Sequence, residues 1–115
     1  MFDFEKLEVY AHVRQLVARI LAFIDEQDGL DDELSTKLKE AAMRMLLLLA
    51  EGTGRMVQKD KLHFYTTARS AVFESVAILH IMLDTNQVQE TDYEDLYEEL
   101  ETASKMLLGM IRSFS

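Results

Sequence analysis

The residues of this chain that could do chemistry are few and scattered. Histidine occurs three times, and its nearest carboxylate partners give Asp60-x-x-His63 and the pair Glu8 and His12. A dinuclear metal site in a helical bundle needs two Glu-x-x-His pairs and further carboxylates that project inward, because each metal takes an imidazole and shares bridging oxygens. Neither fragment has a second copy, so we expect no metal and no other cofactor.

Nucleophilic and phosphate-transfer chemistry also lack their motifs. The chain has no cysteine, and no serine stands in the Gly-x-Ser-x-Gly setting of a hydrolase. The Gly52-Thr53-Gly54 turn lacks the Gly-Lys-Ser/Thr sequence of a phosphate-binding loop and the strand that should precede it. His80 lies between two apolar residues, which favours a packed or partly exposed histidine. We therefore expect a protein that is not an enzyme.

One group of basic residues could bind an anion. Arg55, Lys59 and Lys61 flank the predicted start of a helix, where free backbone N–H groups and the helix dipole favour negative charge. A phosphate, for example of an RNA backbone, would bind there, so these three residues are candidate nucleic-acid-binding residues. Ordinary solvent-exposed lysines explain the same pattern. The formal net charge of −9 argues against broad, nonspecific binding of nucleic acid.

The elements that must carry these residues are helices. Apolar residues recur at spacings of three and four in four segments, and turn-forming residues are confined to the stretches between them. The pattern predicts helices over about residues 4–26, 31–52, 59–83 and 91–114. Because short loops join these long helices, the sequence predicts an all-α, antiparallel up-down-up-down four-helix bundle. We expect it to form a single domain over residues 1–115.

The ends of the predicted helices have recognisable capping residues. Asp31 or Asp32 could cap the second helix, and Gly52 is expected to end it. Thr91 and Glu94 have the spacing of a capping box at the start of the fourth helix. Together with Gly54, Gly52 is expected to let the chain turn sharply.

Charge is unevenly distributed along the chain. Residues 35–69 hold seven basic side chains against three carboxylates, whereas residues 84–101 hold eight carboxylates and no base. In an antiparallel bundle the acidic loops lie at one end of the molecule and the basic loop lies at the other. We therefore expect a molecule that is electrically polar along its axis.

The second helix is more apolar than a monomeric bundle needs. Nine of the ten residues from Ala41 to Ala50 are apolar, and only Arg44 interrupts them. A short helix section packed against three neighbours explains this pattern, and so does an outer face covered by a second subunit. The third helix shows two apolar stripes, which favours the second interpretation. The residues expected at such an interface are Met43, Leu46, Leu47, Phe64, Ala68 and Ala71.

Three segments of the chain resemble a known family. They are Phe4-Glu5-Lys6-Leu7-Glu8-Val9-Tyr10, Leu49-Ala50-Glu51-Gly52-Thr53-Gly54-Arg55, and the stretch from Phe64 to Glu74. They resemble the bacterial four-helix-bundle proteins first noticed in intervening sequences of large-subunit ribosomal RNA genes. The resemblance implies an antiparallel bundle that commonly assembles as a homopentamer, with no established catalytic activity. A related branch, the accessory variability protein of diversity-generating retroelements, is a pentamer that binds a reverse transcriptase and nucleic acid.

Two features depart from the pattern of that family. Leu46-Leu47-Leu48-Leu49 stands where the family usually has Pro-Ser-Asn-Ile, so any role of those polar residues is absent. The retroelement branch is strongly basic, whereas this chain is acidic, which weakens the transfer of nucleic-acid binding.

The shared motif residues are expected to have structural roles. They are Glu51, Gly52, Gly54, Arg55 and Glu74. Arg55 is expected to return toward the negative end of the second helix or toward Glu51. Glu74 is expected to pair with a base such as Arg69 or Arg44.

These observations predict a non-enzymatic, self-assembling bundle that acts as a scaffold or adaptor. We expect a homopentamer with a protein partner, such as a reverse transcriptase. The alternative is binding of RNA or DNA by the basic loops of an assembled ring, and a metal-dependent enzyme is the third interpretation.

The first residues lack a basic start followed by an apolar stretch, and no apolar run reaches the roughly 18 residues of a membrane span. We therefore expect a cytoplasmic protein that makes no contact with a membrane.

Overall fold

The computed structural model describes residues 1–114 and confirms an all-α bundle. A short 3₁₀ helix over Asp3–Lys6 precedes four α-helices, and the described residues contain no strand. The α-helices are α1 (Glu8–Glu26), α2 (Asp32–Thr53), α3 (Gln58–Asp84) and α4 (Glu90–Ser113). Each helix packs against the next one along the chain, and α1 also packs against α4. The four helices therefore enclose a common interior.

The two ends of the bundle differ in their loops. At one end, which we call the acidic end, the backbone N–H of Asp31 before α2 donates to the Gln87 side chain in the α3–α4 loop at 2.8 Å. At the other end, which we call the basic end, Gln58 at the start of α3 donates to the carbonyl of Phe114 after α4. These bonds join loops 27–31 and 85–89 at the acidic end and place loop 54–57 beside the chain's last helix. Neighbouring helices are thus antiparallel.

The predicted apolar stripes form the core. Residues from all four helices contribute to one buried cluster. Its largest fully buried members are Tyr65, Leu16, Ile20, Leu38, Met45, Leu49, Leu79, Met82, Leu100 and Leu107. Their spacing of three, four, seven or fourteen along each helix is that of one helix face turned to the interior. Burial of such side chains supplies the main stabilising free energy of a bundle.

The first helix begins later than its apolar pattern predicts. Leu7 has an extended backbone with φ −83° and ψ 132°, which separates the 3₁₀ turn from α1. The turn is held locally, since the N–H of Phe2 donates to Glu5 at 3.0 Å and the rings of Phe4 and Tyr10 lie 4.8 Å apart. These contacts fold the first residues back beside the bundle, so the helix starts at Glu8.

The structure decides between the two candidate caps of α2. Asp31 is the N-cap residue, and its side chain accepts the backbone N–H of Leu34 at 2.9 Å. The capping box predicted at Thr91 and Glu94 is wrong. Helix α4 starts at Glu90, so Thr91 lies inside its first turn. The N-cap residue is Gln89, and its side chain makes no capping hydrogen bond.

Gly52 does not end α2, contrary to the sequence prediction. It lies inside the helix, is buried, and the helix continues to Thr53 with Gly54 as its C-cap. Gly54 has φ −79°, an ordinary helical value, so neither glycine is required for a sharp turn. A Cβ atom at Gly52 would lie 2.8 Å from the Cβ of Phe64 and 2.9 Å from Cε1 of Tyr65. Glycine is therefore needed at position 52 because α3 approaches the backbone of α2.

We expect Gly52→Ala to lower the free energy of unfolding by about 1–3 kcal/mol, because the added methyl group overpacks the α2–α3 contact. Urea unfolding followed by circular dichroism measures this change. Gly109→Ala is the matched control, since Gly109 lies in α4 and an added Cβ meets nothing within 4 Å. That variant should raise the free energy of unfolding by about 0.5–1 kcal/mol through helix propensity. An unchanged stability of Gly52→Ala would contradict the close approach.

Candidate interaction surfaces

An apolar face of α2 is exposed to solvent in the single chain. Met43 is 42% exposed and Leu47 is 57% exposed, while Leu46 and Ala50 are half-buried. Their spacing of three and four residues puts these side chains on adjoining positions of one helix surface. We call these four residues the α2 apolar surface. Three of them, Met43, Leu46 and Leu47, were predicted at an interface between subunits.

Two other residues predicted at that interface belong to the core. Ala68 is fully buried and Ala71 is 2% exposed, so neither can contact a second subunit. The second stripe of α3 faces inward because this helix packs closely against α2 as well as α4. Phe64, the remaining interface candidate, is half-buried and its ring lies 4.6 Å below the guanidinium carbon of Arg55.

The apolar surface continues toward the basic end of the bundle. Phe2 is 73% exposed, and it lines a shallow cavity together with Phe4, Ala50 and the last turn of α2. The 3₁₀ helix packs against α2, which brings these two aromatic residues to the end of the α2 apolar surface. Apolar side chains therefore extend from the middle of α2 to its C-terminus.

The three predicted nucleic-acid-binding residues have different environments at the basic end. Arg55 and Lys59 are exposed. Lys61 is half-buried, and its ammonium group donates to the carbonyl of Thr53 at 2.7 Å and lies 3.5 Å from the carbonyl of Gly52. It thus caps the negatively polarised C-terminus of α2. Its charge, although unfavourable for the start of α3, is favourable for the end of α2.

The motif residues Arg55 and Glu74 make specific contacts. Arg55 stacks on the ring of Phe64, whereas the sequence suggested the C-terminal end of α2 or Glu51 as its partner. Glu74 pairs with Arg44 at 2.5 Å, which is one of the two predicted partners. This ion pair is about half exposed on both sides and is worth at most about 1 kcal/mol. It nevertheless ties the middle of α2 to the middle of α3, directly beside Met43.

A groove between α3 and α4 has no counterpart in the sequence predictions. Its volume is about 270 Å³, and its rim includes Phe73, which is 53% exposed, and Tyr97, which is 38% exposed. The remaining lining residues are Val72, Val76, Leu100, Glu101 and Ser104. The signal that could have identified the groove is the position of these two aromatic residues, because both lie off the main apolar stripes of their helices.

Arg69 connects the two helices at the basic end of this groove. Its Nε donates to the carbonyl of Ser104 at 3.2 Å, and its guanidinium carbon lies 4.7 Å from the centre of the Phe73 ring. Arg69 therefore binds α4 and does not pair with Glu74, the partner that the sequence also suggested. This contact links α3 to α4 and places the guanidinium group beside the Phe73 ring.

The acidic end of the groove carries an aromatic cluster. His80 Nε2 lies 3.0 Å from the hydroxyl of Tyr93, whose ring centre is 5.7 Å from that of Tyr97. Burial, together with the neighbouring Tyr97, Asp84 and Glu94, raises the pKa of Tyr93 above its ordinary value of 10.0. The phenol of Tyr93 can share a hydrogen bond with the imidazole of His80.

The histidine and carboxylate pairs of the sequence make isolated contacts. His12 Nε2 lies 3.1 Å from the carbonyl of Glu99 and 3.7 Å from its carboxylate. Within residues 1–114, no group of three or more potential ligands among His, Cys, Asp and Glu is placed to hold a metal ion. None of the helices described over this range combines the length and apolar character needed to cross a membrane.

The chain matches one protein family and is similar to a solved structure. The model of a family described as 23S rRNA-intervening sequence protein matches residues 5–109. Among solved structures, the chain is similar to a protein of unknown function from the S23 ribosomal protein family of Bacteroides thetaiotaomicron, with a TM-score of 0.82 and 16% sequence identity. That similarity covers 90% of this chain and 97% of the other and shows a shared fold. No curated protein matches the chain. Since the family match extends over nearly all of the sequence, the chain belongs to the 23S rRNA-intervening sequence protein family.

Proposed function

We propose that this chain is a non-enzymatic helical bundle that assembles with copies of itself and acts as a scaffold or adaptor. The observation that carries the proposal is the α2 apolar surface. Its central residues Met43 and Leu47 keep 42% and 57% of their surface exposed in the single chain. Covering such side chains is favourable by roughly 25 cal/mol for each Å² of apolar area removed from water.

The arrangement of this surface favours a protein contact over ordinary solvent exposure. Single exposed apolar residues are common on soluble proteins, but contiguous ones mark interaction sites. Here four neighbouring positions are apolar, and the exposed carboxylates Glu40 and Glu51 stand at the margin of the same helix surface. An apolar centre with a polar rim is the usual anatomy of a protein–protein interface.

The family resemblance supports particular forms of this function. A homopentamer in the cytoplasm is the assembly that we propose, because members with the same motifs commonly form one. A protein partner such as a reverse transcriptase follows from the resemblance to the accessory proteins of retroelements. Both are proposals for this chain, and neither depends on a catalytic residue.

We expect Met43→Glu and Leu47→Glu each to reduce the mass of the assembly in solution, because a carboxylate at the centre of an apolar interface loses its hydration. Light scattering coupled to size exclusion measures the mass against the 13.3 kDa of one chain. Met56→Glu is the control, since Met56 is 97% exposed in the loop before α3. It should keep the mass of the original protein, and circular dichroism verifies that all three variants remain helical.

The original protein itself provides the decisive comparison. A mass of several chains supports self-assembly. A mass of one chain at every concentration tested, in both low and high salt, would contradict the proposal, because the α2 apolar surface would then remain exposed to water.

Binding of RNA or DNA is the second candidate function. It is favoured by the exposure of Arg55 and Lys59 at the end of the bundle opposite the acidic loops. In an assembled ring, several copies of this loop would concentrate positive charge on one side. Phosphate contacts made there must weaken steeply with salt, because bound counterions are released.

We expect Arg55→Ala and Lys59→Ala to weaken binding of a single-stranded RNA and to make the salt dependence shallower by about 0.7 for each lost contact. Lys61→Met should act differently, since its ammonium group caps α2. It should lower the free energy of unfolding by about 0.3–1 kcal/mol and leave RNA affinity unchanged. Fluorescence anisotropy at two salt concentrations measures the affinity. Absence of binding even at low salt would rule out this second function.

A further inference from the structure

We propose that the groove between α3 and α4 receives the α2 apolar surface of a second copy, so that the chains assemble head to tail. This inference rests on the proposed self-assembly and names the site that accepts the partner chain. Its two halves are different surfaces of the same molecule. One is the convex face around Met43 and Leu47, and the other is the concave groove with Phe73 and Tyr97 at its rim.

The shapes and chemistry of the two surfaces match. The groove has a volume of about 270 Å³, and its buried floor includes Val72 and Leu100, which are 1% and 0% exposed. Its rim offers two partly exposed aromatic rings. Met43 and Leu47 project from the middle of a regular helix, and the flexible side chain of methionine adapts well to irregular apolar gaps.

The two surfaces also lie at the same height along the bundle. Met43 follows the start of α2 by eleven residues, and Phe73 precedes the end of the antiparallel α3 by eleven residues. At 1.5 Å per residue, both lie about 16 Å from the acidic end. The ion pair between Arg44 and Glu74, the neighbours of these two residues, shows directly that they are level. Two copies placed side by side with parallel axes therefore bring the α2 apolar surface of one to the groove of the other.

The charges beside the two surfaces are complementary in this arrangement. Lys37 and Lys39 of α2 are basic, while Arg44 pairs with Glu74 of its own chain. Residues 90–101 of α4 carry seven carboxylates and no base, and of these Glu99 pairs with Arg19 of α1. Both segments lie toward the acidic end, because α2 and α4 start there. Lys39 on one copy would therefore lie at the level of Glu94 and Glu98 on the next. Contact of one groove with another groove would instead bring two acidic α4 helices together, which like charges disfavour.

A contact between two different surfaces has a definite consequence for assembly. Each copy then has one donor surface on α2 and one acceptor groove between α3 and α4. Such a heterologous contact forms a closed ring where the rotation between copies closes, and an open filament where it does not. A symmetric contact of α2 with α2 would instead stop at a dimer.

Mixing two variants tests this inference. Leu47→Glu removes the donor surface, and Phe73→Glu removes the acceptor groove by placing a carboxylate beside Glu101. Each variant alone should have the mass of one 13.3 kDa chain by light scattering. The equimolar mixture should have the mass of two chains, because the intact α2 of the Phe73→Glu chain binds the intact groove of the Leu47→Glu chain. Further growth is blocked, since the other two surfaces are disabled.

Two additional variants keep the result interpretable. Tyr97→Glu replaces Phe73→Glu as the acceptor variant if circular dichroism shows that the latter is unfolded. Ile81→Glu is the matched control, because Ile81 is 48% exposed on α3 but does not line the groove. It should keep the mass of the original protein, and a loss of mass in this control would overturn the assignment of the groove.

The outcomes separate this inference from the proposed function. If the folded acceptor variant keeps the full mass of the assembly, the groove is not the acceptor, although self-assembly stands. If both variants are single chains and their mixture contains no pair, head-to-tail contact is likewise overturned. If the original protein is itself a single chain, the proposed function fails first.

Discussion

The close approach of α3 to the backbone of α2 is the constraint on which the rest of this structure depends. Gly52 makes it possible, because any side chain there would collide with Phe64 and Tyr65. Farther along the same contact, Ala68 and Ala71 are buried and add little bulk between the helices. Small residues allow helix backbones to pack at short distance.

Several contacts at the basic end follow from that approach. Lys61 reaches the last carbonyls of α2, and the hydroxyls of Thr53 and Tyr65 lie 3.1 Å apart. The Arg55 side chain covers the ring of Phe64. Gly52 and Arg55 of this motif therefore help to join α2 and α3. The nearby base Lys61 also makes a structural contact in addition to carrying charge. Because Arg55 and Lys61 contact α2 and α3 in this way, the basic residues of the loop do not form one continuous anion site.

The same packing determines which apolar residues remain outside. The face of α2 that turns inward carries Leu38, Met45, Leu49 and Gly52, so Met43 and Leu47 lie on its solvent side. Between α3 and α4, Phe73 and Tyr97 stand at the rim of a groove, and Arg69 links the two helices there. A bundle with a convex apolar face and a concave apolar groove, at one height and with opposite neighbouring charge, has the features that repeated assembly requires.

The amino-acid sequence by itself determined the helices, the apolar stripes that became the core, the absence of recognisable catalytic motifs and the pairing options of Glu74. These features depend on local periodicity and residue chemistry, which are independent of the neighbouring helices. Only the tertiary structure decided that Gly52 is a packing site inside α2, that Ala68 and Ala71 are buried, and that Lys61 caps α2. It also revealed the groove between α3 and α4. The physical reason is that a stripe shows which side of a helix is apolar, whereas the neighbour that covers it is chosen by the packing of side chains that are distant in the sequence.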